Sequence, residues 1–145
     1  MTGLQIAIDC QDPDVLVPFW CLALDYQPAP PPDGFATWRE RYQSMGVPED
    51  ELGDGDCCDR IQDPEGTRPA IWFQVVPEPK TVKNRVHLDI LLGRHLPKPE
   101  RIVVVEERAR ALEAAGGTRV RTLDEYDTHY AVTLQDPEGN ELCIT

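Results

Sequence analysis

A few side chains in this sequence have types and spacings that could support chemistry. Asp9 and Asp89 stand at matching places in two similar stretches, Ile6–Cys10 and Val86–Ile90. Two carboxylates whose surroundings separate their pKa values can divide acid and base roles between them. The plainer reading is that each anchors backbone amides or pairs with Arg85 or Lys83. His87 lies two residues before Asp89, and a lone histidine on a strand is ordinarily a hydrogen-bonded structural group. Cys143 would be a nucleophile only with a depressed pKa; no base adjoins it in the sequence, which favours a buried, inert thiol. Lys80, Lys83 and Arg85 form a small basic cluster that could hold an anionic group or neutralise nearby acids. The acidic run Glu49–Asp59 contains Asp54-Gly55-Asp56-Cys57-Cys58-Asp59. It lacks the ligand spacing of a calcium loop and reads as solvated loop.

These residues need elements to position them, and an internal repeat suggests which. The pentapeptide QDPEG occurs as Gln62–Gly66 and again as Gln135–Gly139, 73 residues on. Each copy alone is a favoured turn, since Asp opens it, Pro sets φ and Gly permits φ > 0. Together with the matching upstream strands, the two copies argue for duplication. Leu4–Asp9 alternates as a strand does, with Leu4, Ile6 and Ile8 on one face. Asp12 as N-cap and Pro13 at the first helical position start a helix. Its apolar stripe is Val15, Leu16, Phe19, Leu22 and Ala23, and Pro18 should kink or interrupt it. Trp38, Tyr42 and Met45 suggest a short helix stopped by Gly46, and Ala70–Val76 is a strong strand. In the second half the spacing predicts a strand over Arg85–Leu92 and a helix over 103–115. Val105, Ala109 and Leu112 share one side of that helix, Glu106 pairs with Arg110, and Gly116-Gly117 ends it. Strands follow over Arg119–Thr122, Tyr130–Leu134 and Glu141–Ile144.

Composition narrows the function. At 145 residues the chain is read as one domain, 1–145, with pseudo-repeats over about 4–76 and 85–145. Acids outnumber bases 26 to 14, for a net charge of −12. That balance argues against nucleic acid, which needs a basic patch, and against an anionic membrane surface. No apolar run approaches the ~18 residues of a membrane span. The first residues carry no basic, apolar leader pattern. The five cysteines are odd in number and irregularly spaced, which suits free thiols in a reducing compartment and a cytoplasmic location.

A duplicated βαβββ unit with Asp136-Pro137-Glu138-Gly139-Asn140 before its last strand resembles the vicinal-oxygen-chelate superfamily, which comprises glyoxalases, bleomycin-resistance proteins and extradiol dioxygenases. Phe73–Lys80, followed by Lys83–Asp89, and Asp136–Cys143 resemble its bacterial glyoxalase-like domain branch. The resemblance implies an α+β fold in which duplicated βαβββ units form a curved mixed sheet around a cavity, with helices on the outer side. Under that fold Leu4, Ile6, Ile8, Val86, Leu88 and Ile90 should pack beneath helices, as should Leu142 and Ile144. Ala7, Asp9, His87, Asp89, Glu141 and Cys143 should face the cavity. On the strand 70–76 the phase is ambiguous, and Trp72 and Gln74 are placed inward.

Metal-using relatives in the resembled superfamily draw His, Gln or Glu ligands from these strands, with open positions that polarise two adjacent substrate oxygens. Carried across, His87 is present, its symmetry mate is Ala7, which cannot ligate, Gln74 is a candidate in the first unit, and Glu141 or Cys143 is the candidate on the last strand. The expectation is therefore a small-molecule site formed by Asp9, Trp72, Gln74, His87, Asp89, Glu141 and Cys143. No metal is favoured; a divalent metal, if bound, would use His87 and Glu141. The reaction stays unassigned. The alternatives are a metal-dependent lyase, isomerase or dioxygenase using His87, and drug sequestration of the bleomycin-resistance kind. A homodimer is expected, because exposed strand edges need cover.

Overall fold

Alternation decides the first strand. In β1 (Gln5–Cys10), Gln5, Ala7 and Asp9 are exposed, Ile6 and Ile8 are half-buried and Cys10 is buried. A computed structural model describes residues 2–145. The chain divides into two units, one holding the chain up to Cys21 with Asp25–Pro77, the other Leu22–Leu24 with Glu78–Thr145.

In the first unit β1 is followed by α1 (Pro13–Leu24), β2 (Gln27–Pro28), α2 (Trp38–Ser44), β3 (Arg60–Gln62) and β4 (Ala70–Val75). The sheet order is β1-β4-β3-β2, with β1 parallel to β4 and the other pairs antiparallel. In the second unit β5 (Leu88–Ile90) leads to α3 (Lys98–Ala114), β6 (Thr118–Tyr126), β7 (His129–Gln135) and β8 (Glu141–Ile144). Its order is β5-β8-β7-β6, again with the first and last strands parallel. The fold class is therefore the expected α+β, with two four-stranded mixed sheets of identical order; the second arises from a βαβββ sequence of elements, and the first adds α2 between its second and third strands. β2 and β3 are too short to show as periodicity in the sequence.

Several local expectations need correction. α1 starts as the sequence indicates, with the Asp12 carboxylate accepting from the Asp14 amide, but it runs through Pro18 without ending. One missing amide costs less than the burial of Leu16, Phe19, Trp20 and Ala23 returns. Its buried stripe takes in Val17 and Trp20, while Val15 and Leu22 stay partly exposed. Leu4 and Val86 do not pack beneath helices: they are 73% and 79% exposed. Both precede the paired part of their strands, because the ladders begin at Gln5 and Leu88. β5 is thus much shorter than Arg85–Leu92. α3 begins at Lys98, five residues before the expected start, with Pro99 in its first turn.

The second unit's core follows from the two periodicities. Val105, Ala109 and Leu112 come from one side of α3, and Val132, Leu134, Leu142 and Ile144 from one face of β7 and β8; all are fully buried. α3 packs on β7, β6 and β8. The DPEG turns are pinned by their aspartates. Asp63 accepts from the amides of Thr67 and Arg68, the Thr67 hydroxyl and the Arg68 guanidinium, which together hold its carboxyl far below the usual range. Asp136 accepts from the amides of Glu138 and Asn140 and from the Asn140 side chain. Gly66 and Gly139 take φ of 67° and 92°, as the turn requires.

Candidate functional site

Burial of Val132, Leu134, Leu142 and Ile144 against α3 forces their neighbours to the opposite face of the second sheet. Register then joins those neighbours into rows. Asp89 lies beside Cys143, Cys143 beside Thr133, and Thr133 beside Arg121, so one row crosses all four strands. This row floors a pocket of about 240 Å³, whose walls include Lys83, His87, Arg94, His129 and Glu141.

Arg121 reaches this face because β6 is irregular. Arg119 pairs with Leu134 and Arg121 with Thr133, so the register shifts between them. In an unbroken strand residues two apart share a face. The extra residue, Val120, acts as a β-bulge and separates the two arginines. Arg119 turns to the helix side, where its guanidinium donates to Glu106 at 2.8 and 2.9 Å and to Glu113 at 3.1 and 3.2 Å. Glu106 also accepts from the Tyr130 hydroxyl at 2.6 Å. These donors, Arg119 first, lower the Glu106 carboxyl to about 2. The expected Glu106–Arg110 pair is present only at 4.0 Å.

Four of the seven expected residues meet in the pocket. His87 Nδ1 lies 3.0 Å from Asp89 Oδ1, and since a carboxylate only accepts, Nδ1 carries the proton and donates. Asp89 therefore pairs with His87 rather than with Arg85 or Lys83. Lys83 binds Glu141 instead, holding that carboxyl below its usual range. Burial pushes the Cys143 thiol up, against a lesser lowering from the Thr133 hydroxyl at 3.9 Å. The thiol is thus neutral near pH 7.

The other three belong to the first unit. Asp9 sits opposite Gln74 and Ala7 opposite Trp72 in the β1–β4 ladder. Asp9 is exposed, and Gln74 and Trp72 are half-buried. The Trp72 indole donates to Asp59 Oδ2 at 2.8 Å, and the Tyr42 hydroxyl donates to the same oxygen at 2.6 Å. Arg60 Nε donates to Asp59 Oδ1 at 3.2 Å, and its guanidinium lies 5.0 Å from the Trp38 ring and 5.4 Å from the Trp72 ring. Burial, then the Asp59 hydrogen bond, push the Tyr42 hydroxyl up to about 12.

As metal donors, His87 gives Nδ1 to Asp89 and keeps Nε2 available, Glu141 is paired with Lys83, and burial raises the Cys143 thiol. Among the described residues no three His, Cys, Asp or Glu side chains converge as a metal would require. Among the described residues no helix is long and apolar enough to cross a membrane. Arg94, Arg121, His129 and Thr133 escaped the sequence reading. Thr133 follows from alternation around the buried Val132 and Leu134, whereas Arg121 depends on the bulge.

A family model described as a glyoxalase-like domain matches residues 5–145. Among solved structures, a glyoxalase/bleomycin resistance protein/dioxygenase family enzyme from Burkholderia phytofirmans is similar at a TM-score of 0.58 and 18% identity, covering 97% of this chain and 94% of that one. A mutant fosfomycin resistance protein from Listeria monocytogenes, complexed with Mn(II) and 1S,2S-dihydroxypropylphosphonic acid, is similar at 0.59 and 9% identity, covering 99% and 89%. A hypothetical protein from S. aureus has a TM-score of 0.59 at 12% identity and covers 99% and 96%. At these identities the likeness is one of fold. Among curated proteins no sequence matches the chain.

Proposed function

This chain belongs to the glyoxalase-like domain family, and we propose that its second unit binds a small organic molecule in the pocket on the bare face of its sheet. The row Asp89–Cys143–Thr133–Arg121 carries this reading, because it gathers polar groups on the face that α3 leaves uncovered. Few, placed polar groups in a concavity are what fixes a ligand's orientation. At about 240 Å³ the pocket is below the ~300–1,000 Å³ of drug-sized sites, so its ligand is small. The binding is metal-independent in this proposal, on the ground that among the described residues no three His, Cys, Asp or Glu side chains converge beside the free Nε2 of His87.

The test is a thermal-shift screen of small metabolites, followed by native mass spectrometry of the hits and metal analysis of the purified protein. Compounds should raise the melting midpoint of the wild type and not of Thr133→Phe, which fills the floor of the pocket. Hits that bind the variant equally would refute the site. Stoichiometric metal lost with His87→Ala would refute metal independence.

The chain is further proposed to be one domain whose residues 4–76 and 85–145 are pseudo-repeats; the shared strand order supports this, and failure of the halves to superpose would remove it. We also propose a two-fold homodimer, since Leu4, Val82, Val86 and Leu91 leave apolar surface uncovered. A monomer mass by light scattering would overturn that. A reducing, cytoplasmic location suits the free cysteines.

A further inference from the structure

The pocket's charge says what kind of molecule it takes. Several of this acidic chain's cations are answered by a carboxylate: Arg39 by Glu49, Arg60 by Asp59, Arg68 by Asp63, Lys98 by Asp124 and Arg119 by Glu106 and Glu113. Arg94 and Arg121 line the pocket and, among the described residues, have no ion pair with any acid. The two pocket acids are already engaged, Glu141 by Lys83 and Asp89 by His87. Cys143 between them stays an uncharged thiol. The local balance of the pocket is therefore cationic in a chain of net charge −12. Both guanidiniums are exposed, so water solvates them in the free protein and an incoming anion can reach them without first breaking an ion pair.

We propose that the pocket binds a small organic oxyanion, with a carboxylate or phosphate-type head taken by the guanidiniums of Arg121 and Arg94. A guanidinium presents parallel N–H donors that match two oxygens of such a head. The Thr133 hydroxyl lies beside Arg121 on the floor and can supply a further donor by turning from its long 3.9 Å contact with the Cys143 thiol. The Val120 bulge is what delivers this head-group contact: it turns Arg121 to the ligand while Arg119, two residues away, ties the sheet to α3. The proposal rests on the small-molecule reading of the same pocket and adds the charge of its ligand.

The probes are malonate, methylphosphonate and inorganic phosphate, with neutral malonamide as the uncharged counterpart, titrated against the full chain by calorimetry at low and high salt. At least one oxyanion should saturate at one site per chain, and malonamide should not bind. Preference between malonate and the phosphorus oxyanions identifies which head the site takes. Arg121→Gln should weaken binding roughly tenfold or more, the scale of one lost charge-assisted contact. Arg94→Gln should weaken it as well. Arg110→Gln, an equal change of charge on the outer side of α3, should leave it unchanged. Equal weakening by Arg110→Gln would overturn the proposal in favour of general charge attraction. Neutral screening hits that displace no oxyanion and bind Arg121→Gln normally would overturn it while the small-molecule reading stood. Absence of any ligand, charged or neutral, would remove both. Circular dichroism and melting midpoints of the arginine variants confirm that loss of binding is not loss of fold.

Discussion

An arginine lies on or beside the working sheet in each half of the molecule, and its surroundings differ. In the first unit Arg60 is held between the rings of Trp38 and Trp72, with Asp59 on its Nε, and Asp59 is in turn filled by Tyr42 and Trp72. Every strong group there has a partner within the unit. In the second unit, on a sheet of the same strand order, Arg121 shares a row with a threonine, a neutral thiol and an aspartate already bound to histidine. The same frame thus hosts one cluster that completes itself and one that is left open. A completed cluster serves stability; an open one leaves its donors available.

The comparison can be broken most directly at Asp59. Asp59→Ala removes the acceptor of three donors at once, and we expect about 3 kcal/mol of lost stability in urea unfolding. A loss no larger than that of an ordinary surface substitution would mean the first cluster is not self-supporting. Next in size is Glu106→Gln, which weakens the acceptor of Arg119 and Tyr130 and should cost about 2 kcal/mol. The same carboxylate predicts a pH dependence. Its folded pKa is depressed to about 2 from an ordinary 4.5, so its contribution is full above pH 4.5 and disappears as pH falls towards 2. Asp63, also depressed, adds to the loss in the same direction. Midpoints measured across that window should fall for the wild type and fall less steeply for Glu106→Gln. The smallest effect belongs to the open site: Arg121→Gln should change stability by no more than about 0.5 kcal/mol while weakening oxyanion binding. A large destabilisation would show that Arg121 has a structural partner and that the contrast is false.

Much of the frame was legible in the sequence. The QDPEG repeat announced two similar halves, the Asp12-Pro13 start of α1 is where it was expected, and Glu141–Ile144 matches β8 to the residue. Val105, Ala109 and Leu112 are the buried side of α3. What escaped were features that break a period. Pro18 stays within its helix because tertiary burial outweighs one hydrogen bond, β5 is short because pairing with β8 stops at Leu88, and Val120 resets the phase of β6. Alternation placed His87, Asp89, Glu141 and Cys143 on a common face, whereas a strand read over Arg119–Thr122 gives no sign that Arg119 and Arg121 part company. The Trp72 indole donates to Asp59, an aspartate in a stretch read as solvated loop, and no periodicity signals that pairing.

The bulge at Val120 makes this strand unequally sensitive to two kinds of genetic change. A substitution at Val120 leaves both arginines facing as they do. Loss of Val120 would leave the arginines as direct neighbours, still on opposite faces, whereas one residue gained across the ladder, between Thr133 and Leu134, would give Val120 a partner and bring Arg119 and Arg121 to a common face without altering either of them. Length, not identity, is the informative variable at this point of the ladder. In a mutant library, a single-codon insertion between Thr133 and Leu134 would separate anchoring from recognition more cleanly than a complete set of replacements at Val120.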